Sequence, residues 1–336
     1  MVDRTSAECR NRPLRKLFVF ETTGALLCEG KITGYFMSDH KLQSSPEYST
    51  PFAPPAGAWP DREELTLDDG YITGVFHHRP PSAGDLPPVL YLHGIQSHPG
   101  WFFASAGQLA ANGHDVFQVT RRGSGANRSD RGHARCAGVI LDDVRAAVRF
   151  VLERTGSRRL ALVGVSWGGK LAAAWCASSQ DTEAIASLTL LAPGIVPLID
   201  VSPVTKLAIA MCLLFRPRTR FAIPLGSPEL FTDNESMQEF LRSDELALHC
   251  ATARFMYSSR CLDRLLSRGR SGRLTMPVTL ILSTGDRIIN SEATARSVMR
   301  LTGGRAEVIS LSGAHTLEFQ EDPSAFHRAL LASCRK

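Results

Sequence analysis

Leu160-Ala161-Leu162-Val163-Gly164-Val165-Ser166-Trp167-Gly168-Gly169-Lys170-Leu171-Ala172-Ala173-Ala174-Trp175-Cys176 is the stretch whose reading decides the fold. The apolar run before Gly164 reads as a buried strand, and the alanine- and leucine-rich run after Gly168 as a helix. A serine at so sharp a strand-to-helix turn is held in a strained backbone with its hydroxyl raised above the sheet. Gly164 and Gly168 fit that turn because a Cβ at either place would meet the neighbouring strand or helix. Ser166 is therefore the candidate nucleophile, and a structural turn serine is the plainer alternative.

A serine hydroxyl attacks only when a base removes its proton, so a histidine and an orienting carboxylate are required. Pro277–Ser283 reads as another buried strand and runs into Thr284-Gly285-Asp286, which places Asp286 in a loop at its end. A helix over 291–301 and a last strand over 306–311 follow, ending in Ser312-Gly313-Ala314-His315. Chemistry collects at the C-terminal ends of parallel strands, where both Asp286 and His315 fall. Gly-Asp is also ordinary turn chemistry, and nine other histidines are present. Of these, His77 and His78 read as strand residues, His327 as part of the final helix, and His249 lies in the irregular middle of the chain. A further buried strand, Pro88–Leu92, runs into His93-Gly94-Ile95-Gln96-Ser97-His98.

With these segments placed, the chain resembles serine hydrolases of the α/β-hydrolase superfamily. Within it, the match is to the monoacylglycerol lipase and lysophospholipase (serine aminopeptidase S33-like) group. The likeness runs from about residue 65 to the end, and the order Ser166, Asp286, His315 is that of the superfamily. His93–His98 stands where the group has His-Gly-x-Gly-Glu-His, and Arg122-Gly123-Ser124-Gly125 where it has Arg-Gly-x-Gly. The resemblance implies Ser166, Asp286 and His315 as catalytic residues, with an oxyanion hole made by the backbone N–H groups of Ile95 and Trp167. Substrate contacts are expected from His93, Gly94, Trp167, Leu207 and Met211, His93 being read chiefly as bonding its own loop in place. Three positions depart from the group: Gln96-Ser97 replaces Gly-Glu, Val165 replaces His, and Trp167 replaces Met. The Trp167 ring admits two placements, on the floor of the acyl pocket or packed beside the helix.

At 336 residues the chain suffices for one large domain with an insertion. The formal net charge of +5 is carried by scattered arginines, without the basic aromatic stripe of a nucleic-acid binder. Eight cysteines show no metal-ligand spacing, so no zinc site is expected and no disulfide framework is indicated. Hydrolysis by a serine, a histidine and an aspartate needs neither a metal nor a cofactor. The N-terminus lacks the apolar run of a signal peptide. Free thiols then point to a cytoplasmic protein, with peripheral membrane association through the cap as an addition.

The fold expected is α/β, a mostly parallel eight-stranded sheet flanked by helices and carrying a helical cap insertion. Residues 61–195 and 273–336 would form the core, 196–272 the cap, and 1–60 an extension with a strand pair and a linker holding five prolines. Helices are expected over 101–112, 138–154, 167–179, 291–301 and 323–333, and an antiparallel hairpin about Asp68-Asp69-Gly70. In the cap, Leu207–Phe215 is apolar almost all round and lies between Lys206 and Arg216. A buried cap helix, an acyl-pocket wall and a membrane contact all account for it. Glu235, Glu239, Asp244 and Glu245 are expected on solvated faces. The reaction expected is hydrolysis of a carboxylic ester of monoacylglycerol or lysophospholipid type. Thioesterase, amidase or peptidase, and acyltransferase chemistry remain open on the same residues, and a non-catalytic ligand binder is the reading from outside enzymology. Acyl length, alcohol group and oligomeric state are not legible.

Overall fold

The computed structural model of the protein describes residues 49–52, 59–82, 84–179 and 181–336. The strand pair expected near the N-terminus and most of the proline-rich linker lie outside them. The chain enters through a hairpin, β1 (Asp61–Thr66) and β2 (Ile72–His78). It continues through β3 (Val89–Leu92), α1 (Phe103–Ala111), β4 (Val116–Val119), α2 (Ala137–Thr155), β5 (Leu160–Val165), α3 (Trp167–Ser178) and β6 (Ile185–Leu191). Next come α4 (Pro203–Phe215), β7 (Arg220–Ala222), α5 (Glu235–Ser243), β8 (Cys250–Thr252) and α6 (Ala253–Arg268). The chain closes with β9 (Val278–Ser283), α7 (Ser291–Thr302), β10 (Glu307–Leu311) and α8 (Ser324–Cys334).

Eight strands form one sheet in the order β1-β2-β4-β3-β5-β6-β9-β10. All neighbours from β4 to β10 run parallel, while β2 pairs antiparallel with β4 and β1 with β2. The central strands β3, β5 and β9 are buried at every position, as unbroken apolar runs covered by helices on both faces require. Edge strand β10 is largely exposed. Because β3, β5, β9 and β10 are parallel, the loops holding His93–His98, Ser166, Asp286 and His315 all emerge at one edge of the sheet.

The β1–β2 hairpin starts at Asp61, four residues ahead of the expected Leu65, in register Asp61↔His77. Side-chain pairing accounts for the extra length: the buried His77 ring contacts Glu63 at 3.0 Å and Asp115 at 2.8 Å. The segment between β6 and β9 carries three helices and also an antiparallel pair, β7 with β8, which the apolar pattern did not signal. Five of the described cysteines are free thiols. Cys250 is disulfide-bonded, a departure from the expectation of free thiols throughout. Burial pushes the Cys176 thiol up to about 12, in keeping with a small core residue. Among the described residues no helix is long and apolar enough to cross a membrane.

Glu318, three residues beyond His315, is buried against the start of α1, where one carboxylate oxygen accepts the Ser105 N–H at 2.7 Å. Burial outweighs that bond and raises the carboxyl from 4.5 to about 7. Between these two values the folded protein holds a proton that the unfolded chain has released, so this group's contribution to stability is lost as pH rises through the window. Glu318→Gln keeps an acceptor for Ser105 without the charge. It should stabilise the protein at pH 8 by an amount on the order of 2 kcal/mol, with the gain vanishing near pH 4.5, as followed by thermal melting across pH.

Candidate active site

Between β5 and α3 the backbone of Ser166 takes φ 51° and ψ −118°, a conformation costly for any residue with a side chain. The surroundings hold it there. The Ser166 N–H donates to the Leu191 carbonyl at 2.8 Å, and the Ser166 carbonyl accepts from the Gly194 N–H at 2.8 Å. A Cβ on Gly164 would lie 2.7 Å from the Gly168 carbonyl oxygen, and one on Gly168 would collide with the carbonyls of Leu92 and His93. Helix α3 therefore presses directly on the end of β3, and the hydroxyl points up between the strand ends.

His315 Nε2 lies 2.9 Å from Ser166 Oγ, and His315 Nδ1 lies 2.7 Å from Asp286 Oδ2. The other Asp286 oxygen accepts the N–H groups of Ile288 and Ile289 at 2.8 and 2.9 Å. Both side chains are buried, at 2% exposure for His315 and 1% for Asp286. Their loops are tied together, with Gly285 N–H donating to the Gly313 carbonyl at 2.9 Å and Ser283 Oγ donating to the same oxygen. With Asp286 on the Nδ1 side, that nitrogen carries the proton and Nε2 offers a lone pair to the serine hydroxyl. Such an arrangement can take a proton from Ser166 and hold the resulting imidazolium.

The sequence profile of the serine aminopeptidase S33 family matches residues 87–322 of this chain, a span containing all three of these residues. The chain belongs to that family. Human lipase member K is 30% identical over 168 residues, 43% of this chain and 41% of its own length. The chain thus spans less than half of that relative. Among solved structures, a soluble variant of monoglyceride lipase from Saccharomyces cerevisiae superposes with a TM-score of 0.72 at 17% identity, covering 85% of this chain and 97% of that one. The monoacylglycerol lipase of Paleococcus ferrophilus superposes with a TM-score of 0.67 at 19% identity, covering 78% and 98%. These likenesses establish the α/β-hydrolase fold.

The remaining expected site residues divide in this S33 chain. Gly94 and Ile95 line the cavity beside Ser166, together with Gln96 and Ser97. His93 does not line it. Its Nδ1–H donates to the Gly94 carbonyl at 2.9 Å, and its Nε2 accepts the Arg121 N–H at 3.0 Å. Burial, then the charge of Arg121, hold this imidazole well below its ordinary range, so it is a neutral strut within the loop. The Trp167 ring turns away from the cavity. It stacks on Phe255 of α6 at 5.3 Å and donates its Nε1–H to Ser259 Oγ at 2.9 Å, so the placement beside the helix is the observed one. Leu207 and Met211 point outward from α4, 66% and 51% exposed, and neither lines the cavity beside Ser166.

The walls that sequence reading missed are Trp101, Phe102, Val165, Leu225 and Phe231. Trp101 and Phe102 follow the His93–His98 loop directly, a signal available in the sequence. Leu225 and Phe231 come from the irregular stretch between β7 and α5, where no periodicity marks them. The cavity measures about 10 Å³, room for about one water molecule.

Asp244, expected on a solvated face, is fully buried and joins the segment between β6 and β9 to the His93–His98 loop. It accepts from His98 Nε2 at 3.0 Å, Trp101 Nε1 at 2.7 Å, Ser49 Oγ at 3.2 Å and the Leu246 N–H at 3.0 Å. Beside it, the Leu248 N–H donates to the Gln96 carbonyl at 2.8 Å. Burial pushes the Asp244 carboxyl up, but the donors from His98, Trp101 and Leu246 outweigh it and hold the group below the usual range. Its stabilisation is therefore present above the ordinary aspartate value of 3.8 and is lost as pH falls through the lower folded value. Asp244→Ala leaves two buried ring donors unpaired and should cost about 3 kcal/mol at pH 7. Denaturant unfolding checks this, with the gap to wild type narrowing below pH 4.

Proposed function

We propose that the protein hydrolyses carboxylic esters with apolar acyl groups, monoacylglycerols and lysophospholipids being the class it fits, through an acyl-enzyme formed on Ser166. The observation that carries the reading is the continuous hydrogen-bonded chain from Ser166 Oγ through His315 to Asp286, at 2.9 and 2.7 Å, opening on a cavity walled by aromatic and aliphatic side chains. Ser166 attacks the carbonyl while His315 takes the hydroxyl proton and then hands it to the leaving alcohol. Asp286 fixes the ring and stabilises its charged form without taking the proton. The N–H groups of Ile95 and Trp167 receive the oxyanion, each worth on the order of 3 kcal/mol in such sites. Water then repeats the attack on the acyl-enzyme.

The family description names an aminopeptidase. A peptidase of that kind needs a carboxylate facing the substrate amine, and no Asp or Glu is among the described residues lining the cavity. That favours an uncharged acyl chain. An acyl chain needs far more than 10 Å³, so residues 196–272 act as a cap that shifts before substrate enters. Val204, Leu207, Met211, Leu214 and Phe215 form one outward stripe on α4, spaced as a single helical face. With Lys206 and Arg216 beside it, that stripe suits contact with a lipid surface.

Ser166→Ala should lower ester turnover by about 10³-fold or more, measured on p-nitrophenyl esters of two to sixteen carbons beside 1-monoacylglycerol and lysophosphatidylcholine. Wild-type rates should rise with acyl length, and a fluorophosphonate should label Ser166. An unlabelled serine with no turnover of any ester would refute the reading. Leu207→Glu with Leu214→Glu should reduce turnover of vesicle-borne substrate while leaving a water-soluble short ester unaffected. Equal loss on both substrates would refute the lipid contact.

A further inference from the structure

We infer that Arg121 is a positioning residue that clamps the two halves of the oxyanion hole together, a role that rests on the ester-hydrolase reading above. Arg121 immediately precedes the Arg122-Gly123-Ser124-Gly125 motif and follows the end of β4. One of its terminal nitrogens donates to the Ile95 carbonyl at 2.8 Å. Its own backbone N–H donates to His93 Nε2 at 3.0 Å. The face of its guanidinium carbon lies 4.9 Å from the centre of the Trp167 ring and 5.1 Å from that of Phe255. A single side chain thus touches Ile95 and Trp167, the two residues whose N–H groups face the developing oxyanion. It does so from the side away from the Ser166 cavity, whose lining does not include it.

Fold stability alone is a poor account of this group. Arg122, next in sequence, is matched by paired contacts to Asp69 and Asp143. The Arg121 guanidinium makes no such contact: its Nε and second terminal nitrogen are buried without an acceptor among the described residues. Taking a cation out of water without a bonded carboxylate costs more than a well-packed apolar side chain would. What the cation gains is the Ile95 carbonyl and the faces of two aromatic rings, contacts that are strengthened by the dry setting. Trp167 is held from its other side by Ser259, which also accepts from Lys170 Nζ at 2.9 Å. Ile95, in the loop after β3, and Trp167, at the start of α3, are joined by no hydrogen-bonded ladder beyond the ends of β3 and β5. Arg121 supplies the cross-brace between them.

The test is steady-state hydrolysis of p-nitrophenyl butyrate by Arg121→Met and Arg121→Lys, with active sites counted by fluorophosphonate titration and folding followed by thermal melting. In Arg121→Met, kcat per titrated site should fall about 10- to 100-fold with KM changed less than about three-fold, the pattern of a displaced transition-state contact. The phosphonylation rate of Ser166 should fall in parallel, because the phosphonyl oxygen occupies the same hole. Arg121→Lys, which keeps the charge and a donor for Ile95, should recover part of the loss. A lower melting temperature with kcat per site within two-fold of wild type would overturn the inference and leave Arg121 a tether of the fold. Should Arg121→Met not fold, Phe255→Leu, which removes one of the two rings under the cation, should still lower kcat by about three-fold or more, and an unchanged kcat would overturn the inference. A wild-type protein that neither turns over esters nor labels would take the ester-hydrolase reading down with it. An active wild type matched by Arg121→Met would sink the clamp alone.

Discussion

The rest of the site depends on how closely α3 approaches the end of β3. Gly168 sits against the carbonyl oxygens of Leu92 and His93, and Gly164 against the Gly168 carbonyl. No side chain fits at either place, so strand, turn and helix have a single way to pack. That contact forces the positive φ of Ser166 and brings the serine beside the loop that follows β3. Gly194, through its bond to the Ser166 carbonyl, closes the turn from β6. Strain in one residue is thereby met by packing distributed over three strands.

Around that fixed point the polar groups form two separate sets. Asp286 and His315 reach Ser166 from β9 and β10 on one side, joined by bonds between their own loops. His93, His98, Arg121 and Asp244 hold the opposite loop, each ring nitrogen and carboxylate oxygen among them given a defined partner. The first set is the one that moves a proton in the proposed reaction. The second is arranged to keep a backbone segment still, and in it His93 does its work as a neutral hydrogen-bonding strut. Histidines with such different tasks look alike in composition, and only their neighbours separate them.

Much of the core was legible because its signals are local. Apolar runs such as 278–283 and 160–165 are buried strands whatever the rest of the chain does, and the ends of parallel strands put Asp286 and His315 where a serine needs them. The segment between β6 and β9 was harder. Leu207–Phe215 is apolar all round, so no periodicity chose the face it exposes. Asp244 reads as a solvated acid until the ring nitrogens of His98 and Trp101, more than 140 residues away in sequence, are brought against it. Trp167 had two placements from sequence, and the choice was made by Phe255 and Ser259, residues that carry no motif. Side-chain direction in this region is a tertiary property.

The fastening of Trp167 and Lys170 to α6 divides the segment over the site into parts of unequal freedom. Lys170, on the helix that starts at the elbow, bonds Ser259 and pairs with Asp263 at 3.0 Å, so α6 is riveted to the same helix that carries the serine's turn. Helix α4, by contrast, buries only Ile209. In the proposed cap, α6 is then a fixed rear beam and α4 a looser front panel. Opening by a swing of the whole segment would pull on the turn at Ser166 itself, whereas displacement of the front panel alone would leave the Trp167 ring seated on α6.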